Sequence, residues 1–290
     1  MFKKIGAFLE MIKVEHTLFT LPFAFMGALL GSVQIHGTLP TWGQIGWVVL
    51  AMFGARSAAF GLNRMIDQVI DKKNPRTAGR AIPAGLLKTA EVFIFTIISF
   101  VLLFIAAFQL SPLAVKLLPV AVFMLTIYSY TKRFTWLCHL VLGLTTSLAP
   151  LGGWVAVTNS VDANALIFYF SLAFWTAGFD IIYAIQDMEF DQKEGLYSIP
   201  SQFGIHRSLR IAQVFHVITA IGFVIIFFTT HLSWWYFAGM VISYGILFYQ
   251  HYILSPNDMS RLQTSFFTAN SMLSIVVFLF TLVDLVVRYS

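Results

Sequence analysis

Nine apolar runs, each about the length a helix needs to cross a bilayer, alternate with short polar breaks along this chain. They cover residues 16–35, 44–66, 89–109, 113–130, 135–157, 163–186, 211–230, 234–253 and 266–287. The breaks carry turn chemistry: His36-Gly37-Thr38-Leu39-Pro40, Ser111-Pro112, Thr158-Asn159-Ser160 and Ser255-Pro256-Asn257. A transmembrane barrel would show short segments of alternating polarity instead. The pattern therefore predicts an all-α polytopic membrane protein with nine transmembrane helices. The longest polar stretches, 67–88 and 187–210, are too short for a soluble domain, so residues 1–290 read as a single transmembrane domain. Residues 1–15 lack the ordered basic, apolar and small-residue regions of a cleaved signal and read as an interfacial helix leading into the first span.

Composition agrees: 58% of residues are hydrophobic and 11% charged, against roughly a quarter charged in soluble domains. The net charge of +5 suggests nucleic acid only until its placement is considered. With the N-terminus in the cytoplasm, every Lys and Arg except Lys116 and Arg288 falls on the cytoplasmic side or in the cytoplasmic half of a span. That is the positive-inside pattern; the excess charge reads as topology, and no nucleic-acid partner is expected. The lone Cys138 excludes an internal disulfide and a multi-cysteine metal site.

The acids change the picture most. Six of the 13 acidic residues fall in two stretches: Asp67 and Asp71 after the second run, and Asp180, Asp187, Glu189 and Asp191 in and after the sixth. Spacings of four and seven place Asn63, Asp67 and Asp71 on one helix face, and Asp180, Asp187 and Asp191 on another. Both stretches lie at cytoplasmic ends of spans, and the correspondence of span 2 with span 6 hints at a parallel internal duplication. Acids that only end a helix would explain Glu189, Asp191 and Glu194. They leave Asp180 unexplained, because it lies among Phe and Ile within a span, where a carboxylate is costly and marks a site.

Acids followed by bases suit a metal-bridged diphosphate. Mg²⁺ takes a few carboxylates and lets phosphate oxygens and water complete its shell. Arg76 and Arg80, in the loop after Asp71, can clamp the remaining oxygens as bidentate donors. Arg56 continues the Asn63 face deeper into the bundle. Tyr128, Tyr130, Lys132 and Arg133 at the end of span 4 read alone as interfacial anchors; beside two diphosphate-type clusters, Lys132 becomes a partner for a leaving group. Lys13, Glu15 and His16 face either the cavity or the membrane boundary. His139 reads as a hydrogen-bonded interior residue, since no second His stands at ligand spacing. The 30 Phe residues are core and lipid-facing material, some of which can line a hydrocarbon tunnel and stabilise a cation.

With these residues the chain resembles the UbiA-type intramembrane prenyltransferases over essentially its whole length. The family's Asn-x-x-x-Asp-x-x-x-Asp matches Asn63, Asp67 and Asp71, and its second Asp-x-x-x-Asp matches Asp187 and Asp191, preceded by Asp180 and Tyr183. Its Tyr-x-x-x-Lys-Arg matches Tyr128, Lys132 and Arg133, and its Arg-Thr-x-x-Arg-x-Ile-Pro-x-Gly loop matches Arg76, Thr77, Arg80, Ile82, Pro83 and Gly85. The resemblance implies nine helices around a central cavity with a cytoplasmic polar cap, in the inner membrane. It also implies a polyprenyl diphosphate donor, Mg²⁺ and a small aromatic acceptor, nearest to the 4-hydroxybenzoate branch of quinone biosynthesis. Two segments depart from the family pattern. Lys13-Val14-Glu15-His16 stands where an Arg-x-Asp-Lys-Pro-like start is expected, and Cys138-His139 where Pro-Gln is usual; a hydroxylated naphthoate is the alternative acceptor.

The expected chemistry follows. Asn63, Asp67, Asp71, Asp187 and Asp191 are the candidate metal residues. Arg56, Arg76, Arg80, Lys13 and Arg133 are candidate substrate binders, and Asp180, Tyr183, Lys132 and Tyr128 candidate catalytic groups. Asp180 or Tyr183 would position or deprotonate the acceptor phenol. An ion-coupled transporter is the competing class, but it usually places its acids near the midplane. A phosphotransferase of CDP-alcohols would pack acids and glycines into one tight motif, which the sequence lacks.

Overall fold

The computed structural model describes residues 2–12 and 17–289, and all regular elements among them are helical apart from one isolated bridge between Ser255 and Asp258. In chain order these are α1 (Phe2–Met11), α2 (Thr17–His36), α3 (Trp42–Ile66), α4 (Gln68–Lys73), α5 (Thr89–Leu110), α6 (Pro112–Thr131), α7 (Cys138–Thr146) and α8 (Leu148–Thr158). Then come α9 (Ala163–Ala184), α10 (Met188–Glu194), α11 (Ile199–Thr229), α12 (Trp234–Tyr252) and α13 (Asn270–Tyr289). Their starts follow side-chain chemistry. Thr41 and Gln44 form a reciprocal capping box on α3, Ser111 caps α6 ahead of Pro112, and Asp162 caps α9.

Among the described residues, seven helical segments are long and apolar enough to cross a membrane: 42–66, 89–110, 112–131, 138–158, 163–194, 199–229 and 264–289. Of the nine expected spans, the first and eighth form helices that fall outside this set. Helix α12 is diluted by Tyr, Trp, Gln and His, and α2 runs over Thr17–His36 with Pro22 inside it. Two boundaries differ for local reasons. Span 5 is two helices, because Pro150 has no N–H for the Thr146 carbonyl and the helix breaks at Ser147. Helix α11 begins 12 residues ahead of the expected span, where Ser198 caps Ile199-Pro200, and bends at Gly204 (φ 75°).

Helices α3, α5 and α6 pack together, α6 leads to α7, α7 to α9, α9 to α11, then α12, α13 and back to α2, which closes the ring against α8. The α2–α8 crossing is close enough that a Cβ on Gly27 would meet the Pro150 carbonyl oxygen at 2.0 Å, and one on Gly153 the Ala24 carbonyl oxygen at 2.2 Å. Trp154, Trp175, Phe168 and Phe223 are fully buried between the helices, while Phe93, Phe108, Phe123 and Phe228 face outward. This ring brings the ends of α3, α6 and α9 and the starts of α7 and α11 to one end of the bundle.

Candidate active site

Each acid cluster sits where a long helix breaks, which corrects the expectation of one continuous helix face. At the end of α3, Asp67 takes φ −94° and ψ 3°, and the six-residue α4 then carries Asp71. At the end of α9 a single 3-10 turn leads to Asp187, with φ −100° and ψ 2°, and the seven-residue α10 carries Asp191. Both aspartates occupy the sparsely allowed bridge between helix and strand, a common conformation at functional positions. The span 2 to span 6 correspondence thus extends to the backbone.

Four acids meet four bases. The Arg80 Nη1 donates to Asp71 Oδ1 at 2.7 Å, and Arg133 Nη2 to Asp67 Oδ1 at 2.9 Å. Arg76 forks onto Asp187, Nε to Oδ1 at 2.8 Å and Nη2 to Oδ2 at 2.5 Å, and its Nη1 donates to the Tyr183 hydroxyl at 2.9 Å. Lys132 Nζ stands 2.7 Å from Asp191 Oδ1. Three of these pairs join distant segments into one floor: the first loop holds the second cluster through Arg76, and the end of α6 holds both clusters through Lys132 and Arg133. The two clusters face each other across a single cleft of about 220 Å³. Lys73 and Glu194 close its rim at 2.6 Å.

Residues that motif spacing passed over fix this floor. The Asn74 Nδ2 donates to Asp187 Oδ1 at 2.9 Å, and the Ser198 hydroxyl to Asp191 Oδ2 at 2.9 Å. Arg64, 5% exposed, donates to the Asn63 Oδ1 at 2.7 Å, and Asn63 Nδ2 donates to Asp67 Oδ2 at 2.7 Å and to the Ser129 hydroxyl at 3.2 Å. Both ends of the Asn63 amide are therefore engaged, and the side chain orients Asp67. A buried Arg immediately after Asn63 was the available signal.

Asp180 lies on α9 at the inner edge of the same cleft, and its Oδ2 is 2.6 Å from Nδ1 of the buried His139. The Ile199 N–H donates into His139 Nε2 at 3.2 Å. A nitrogen that accepts a backbone N–H carries no proton, so the imidazole holds its proton on Nδ1 and donates it to Asp180. His139 is thus the interior hydrogen-bonded residue that the sequence suggested, with an acid as its partner. Tyr183 stacks on Phe266 with ring centroids 4.1 Å apart. The Tyr128 hydroxyl donates to the Ala59 carbonyl at 3.1 Å, which commits its proton to α3. Arg56 lies over the Phe60 ring at 4.9 Å and is not part of the cleft lining. Lys13, Glu15 and His16 lie outside the described residues.

The electrostatics suit a cationic ligand. Burial pushes the Asp67 carboxyl above the ordinary aspartate range, and the Arg133 guanidinium only partly offsets this. Burial works against the Arg76 charge, but hydrogen bonding to Asp187 and its negative charge prevail and hold the guanidinium above its usual range. Asp71 Oδ2 is buried without a partner. A bare buried carboxylate oxygen needs a cation or a donor, and the donor set around it is carboxylate oxygen, which suits Mg²⁺. Among the described residues no three acids or histidines converge into a closed metal cage.

An all-helical membrane bundle with paired Asp-x-x-x-Asp breaks around one polar cleft matches what the sequence resemblance implies. The chain belongs to the UbiA prenyltransferase family, which matches residues 20–272. A 4-hydroxybenzoate octaprenyltransferase of Vibrio campbellii is 28% identical over 220 residues, 76% of this chain and 77% of that protein. A UbiA homologue from Aeropyrum pernix, solved in its apo form, superposes with a TM-score of 0.85 at 28% identity, covering 94% of this chain and 98% of that one. A UbiA homologue from Archaeoglobus fulgidus, solved with DMAPP and Mg²⁺, shares the fold at a TM-score of 0.72 and 18% identity, over 97% of this chain and 99% of that one. The protein is a membrane-integral prenyltransferase.

Proposed function

We propose that this chain transfers a polyprenyl group from a polyprenyl diphosphate to a small aromatic acceptor such as 4-hydroxybenzoate, with Mg²⁺, in quinone biosynthesis. It does so as one domain of nine spans over residues 1–290, with the polar end on the cytoplasmic side of the inner membrane, where the basic residues concentrate. The observation that carries this reading is the ring of four acid–base pairs closing two clusters onto one cleft.

Each base in the ring has a second use. Arg76, Arg80, Lys132 and Arg133 exchange carboxylate for diphosphate oxygens when the donor enters, and the acids they leave face the incoming cation. Asp67, Asp71, Asp187 and Asp191 would hold Mg²⁺, whose charge offsets that of the diphosphate as the bond to the prenyl carbon breaks. The bonding pair departs with the diphosphate, where the four bases stabilise it. The ring carbon ortho to the acceptor hydroxyl then attacks the allylic carbon. Asp180 takes the proton the acceptor loses, and the Nδ1–H of His139 keeps that carboxylate aimed at the cleft. Tyr183, tied to Arg76, couples the base to the diphosphate floor. Tyr128 shapes the cleft wall, and Arg56 or Lys13 would hold the acceptor carboxylate. Burial in the bilayer keeps water from the cation.

The test is incubation of purified protein in nanodiscs with a radiolabelled polyprenyl diphosphate, 4-hydroxybenzoate and Mg²⁺. A labelled lipid product that vanishes with EDTA is expected. Vectorial uptake into liposomes with no product would instead support a transporter. A hydroxylated naphthoate is the second acceptor to try, because Cys138 and His139, which depart from the family pattern, both line the cleft.

A further inference from the structure

A second cavity, of about 480 Å³, opens between α11 and α12 away from the acid cleft. Val217, Ala220, Leu247 and Phe248 form its apolar walls, and Gln213 and Tyr252 stand with two histidines at the end nearer the acid site. The neighbouring outward residues Val214, Ile221 and Tyr249 are exposed and mostly apolar, so the mouth faces lipid.

The two histidines dictate what the cavity can take. His216 Nε2 lies 3.3 Å from the Trp175 carbonyl oxygen, and a carbonyl only accepts, so this nitrogen carries the proton. The ring is held in place because Gly178 leaves it room: a Cβ there would meet His216 Nε2 at 2.4 Å. Nδ1 of His216 is then bare and accepts from His251 Nε2, 2.8 Å away. That places the His251 proton on Nε2 and leaves its Nδ1 as an acceptor, which is buried and has no partner. No acid lines the cavity to charge either ring. An unmet acceptor at the edge of a bilayer is costly, and only a hydrogen-bond donor relieves it. Phe248 and Tyr252, 73% and 77% exposed, form the outer wall and have room to swing aside and uncover it.

We infer that this cavity binds an amphipathic lipid through a hydroxyl that donates to His251 Nδ1, and that the lipid is a prenylated phenol. The donor requirement excludes a quinone or an ether at this position, since both only accept. The phenol is favoured by the three aromatic rings of Tyr244, Phe248 and Tyr252, which suit an aromatic head with an apolar tail along Val217 and Ala220. The need for a hydrogen-bond donor stands on the histidine geometry alone; the phenol that supplies it as a hydroxyl rests on the prenyl-transfer reading and makes the cavity a holding site for product. His216 packs against α9 at Gly178, two residues before Asp180, so His216 stands between the cavity and the helix that carries the base.

The experiment is equilibrium binding of 2-geranylphenol, its O-methyl ether and 1-decanol to the protein in phosphatidylcholine nanodiscs. Geranylphenol should bind at least tenfold more tightly than the ether. His251→Phe should bring the two within about twofold, and Ala220→Trp, or Val217→Phe should the first fail to fold, should remove the saturable binding. All three variants should keep prenyl transfer. Equal binding of phenol and ether, or binding unchanged by these substitutions, would overturn the site. Decanol bound as tightly as geranylphenol would overturn the assignment to a phenol while sustaining the hydroxyl donor. Because binding is read without turnover, loss of the transferase reading leaves the histidine arm intact.

Discussion

The two aspartate pairs share a backbone and differ in who holds them. Asp187 receives three hydrogen bonds from Asn74 and Arg76, and Asp191 has one partner on each oxygen. In the first pair, Asp67 is the most open of the four, with 21% of its side chain exposed, and Asp71 keeps one oxygen bare. The second pair is thus a clasped half, locked by groups that the first loop and α6 send across. The first pair has a base for each acid too, but it is the more open half and keeps an oxygen without a donor, so it should take the incoming cation first.

That asymmetry can be broken from either side. Asp71→Ala should abolish turnover, with a fall of about 1,000-fold or more in kcat, the loss expected when a main source of transition-state charge stabilisation goes. Asp191→Ala should match it in turnover. Mg²⁺ affinity, read by titrating activity or by calorimetry, should fall more for Asp71→Ala; an equal fall in both would erase the distinction between the halves. Arg76→Ala should come next, lowering kcat/KM about 100-fold. It should also speed hydrogen exchange over residues 185–194, whereas Arg80→Ala should leave exchange there unchanged. His139→Ala should lower kcat by about tenfold to a hundredfold with the diphosphate KM unmoved. His139→Gln, whose amide can still donate to Asp180, should recover much of that. Asn63→Ala should weaken Mg²⁺ about tenfold, as removal of a ligand-orienting group does. Lys73→Ala should change stability by less than about 1 kcal/mol, since this ion pair sits at the exposed rim.

A fourth buried acid marks the limit of reasoning from acids alone. Asp284, in α13, is fully buried, and by the rule that an acid among apolar residues marks a site it would qualify. It instead accepts from the N–H and hydroxyl of Ser233 at 2.7 Å each and from the Tyr236 N–H at 3.0 Å. Those are the free donors at the start of α12, and a carboxylate there is a helix clasp. Like Asp71, Asp284 has one oxygen without a hydrogen-bond partner and a guanidinium nearby, Arg288 at 3.7 Å; what separates it is that fixed backbone donors hold its other oxygen.

Much of this was legible from the chain. Hydrophobic runs carry the helices because a helix closes its hydrogen bonds within itself, so length and polarity are enough to place most spans. Motif spacing brought together Asp67, Asp71, Asp187 and Asp191 with Arg76, Arg80, Lys132 and Arg133. Only the tertiary structure decided that Arg76 belongs to Asp187, 111 positions away, that His139 belongs to Asp180, and that α3 and α9 break at the same residue of their motifs. It also decided that Asn63 orients an acid, and that His216 and His251 meet. The physical reason is range. Periodicity encodes contacts within a turn or two of helix, whereas the partner of a buried charge depends on which helix ends the packed ring carries to the same place.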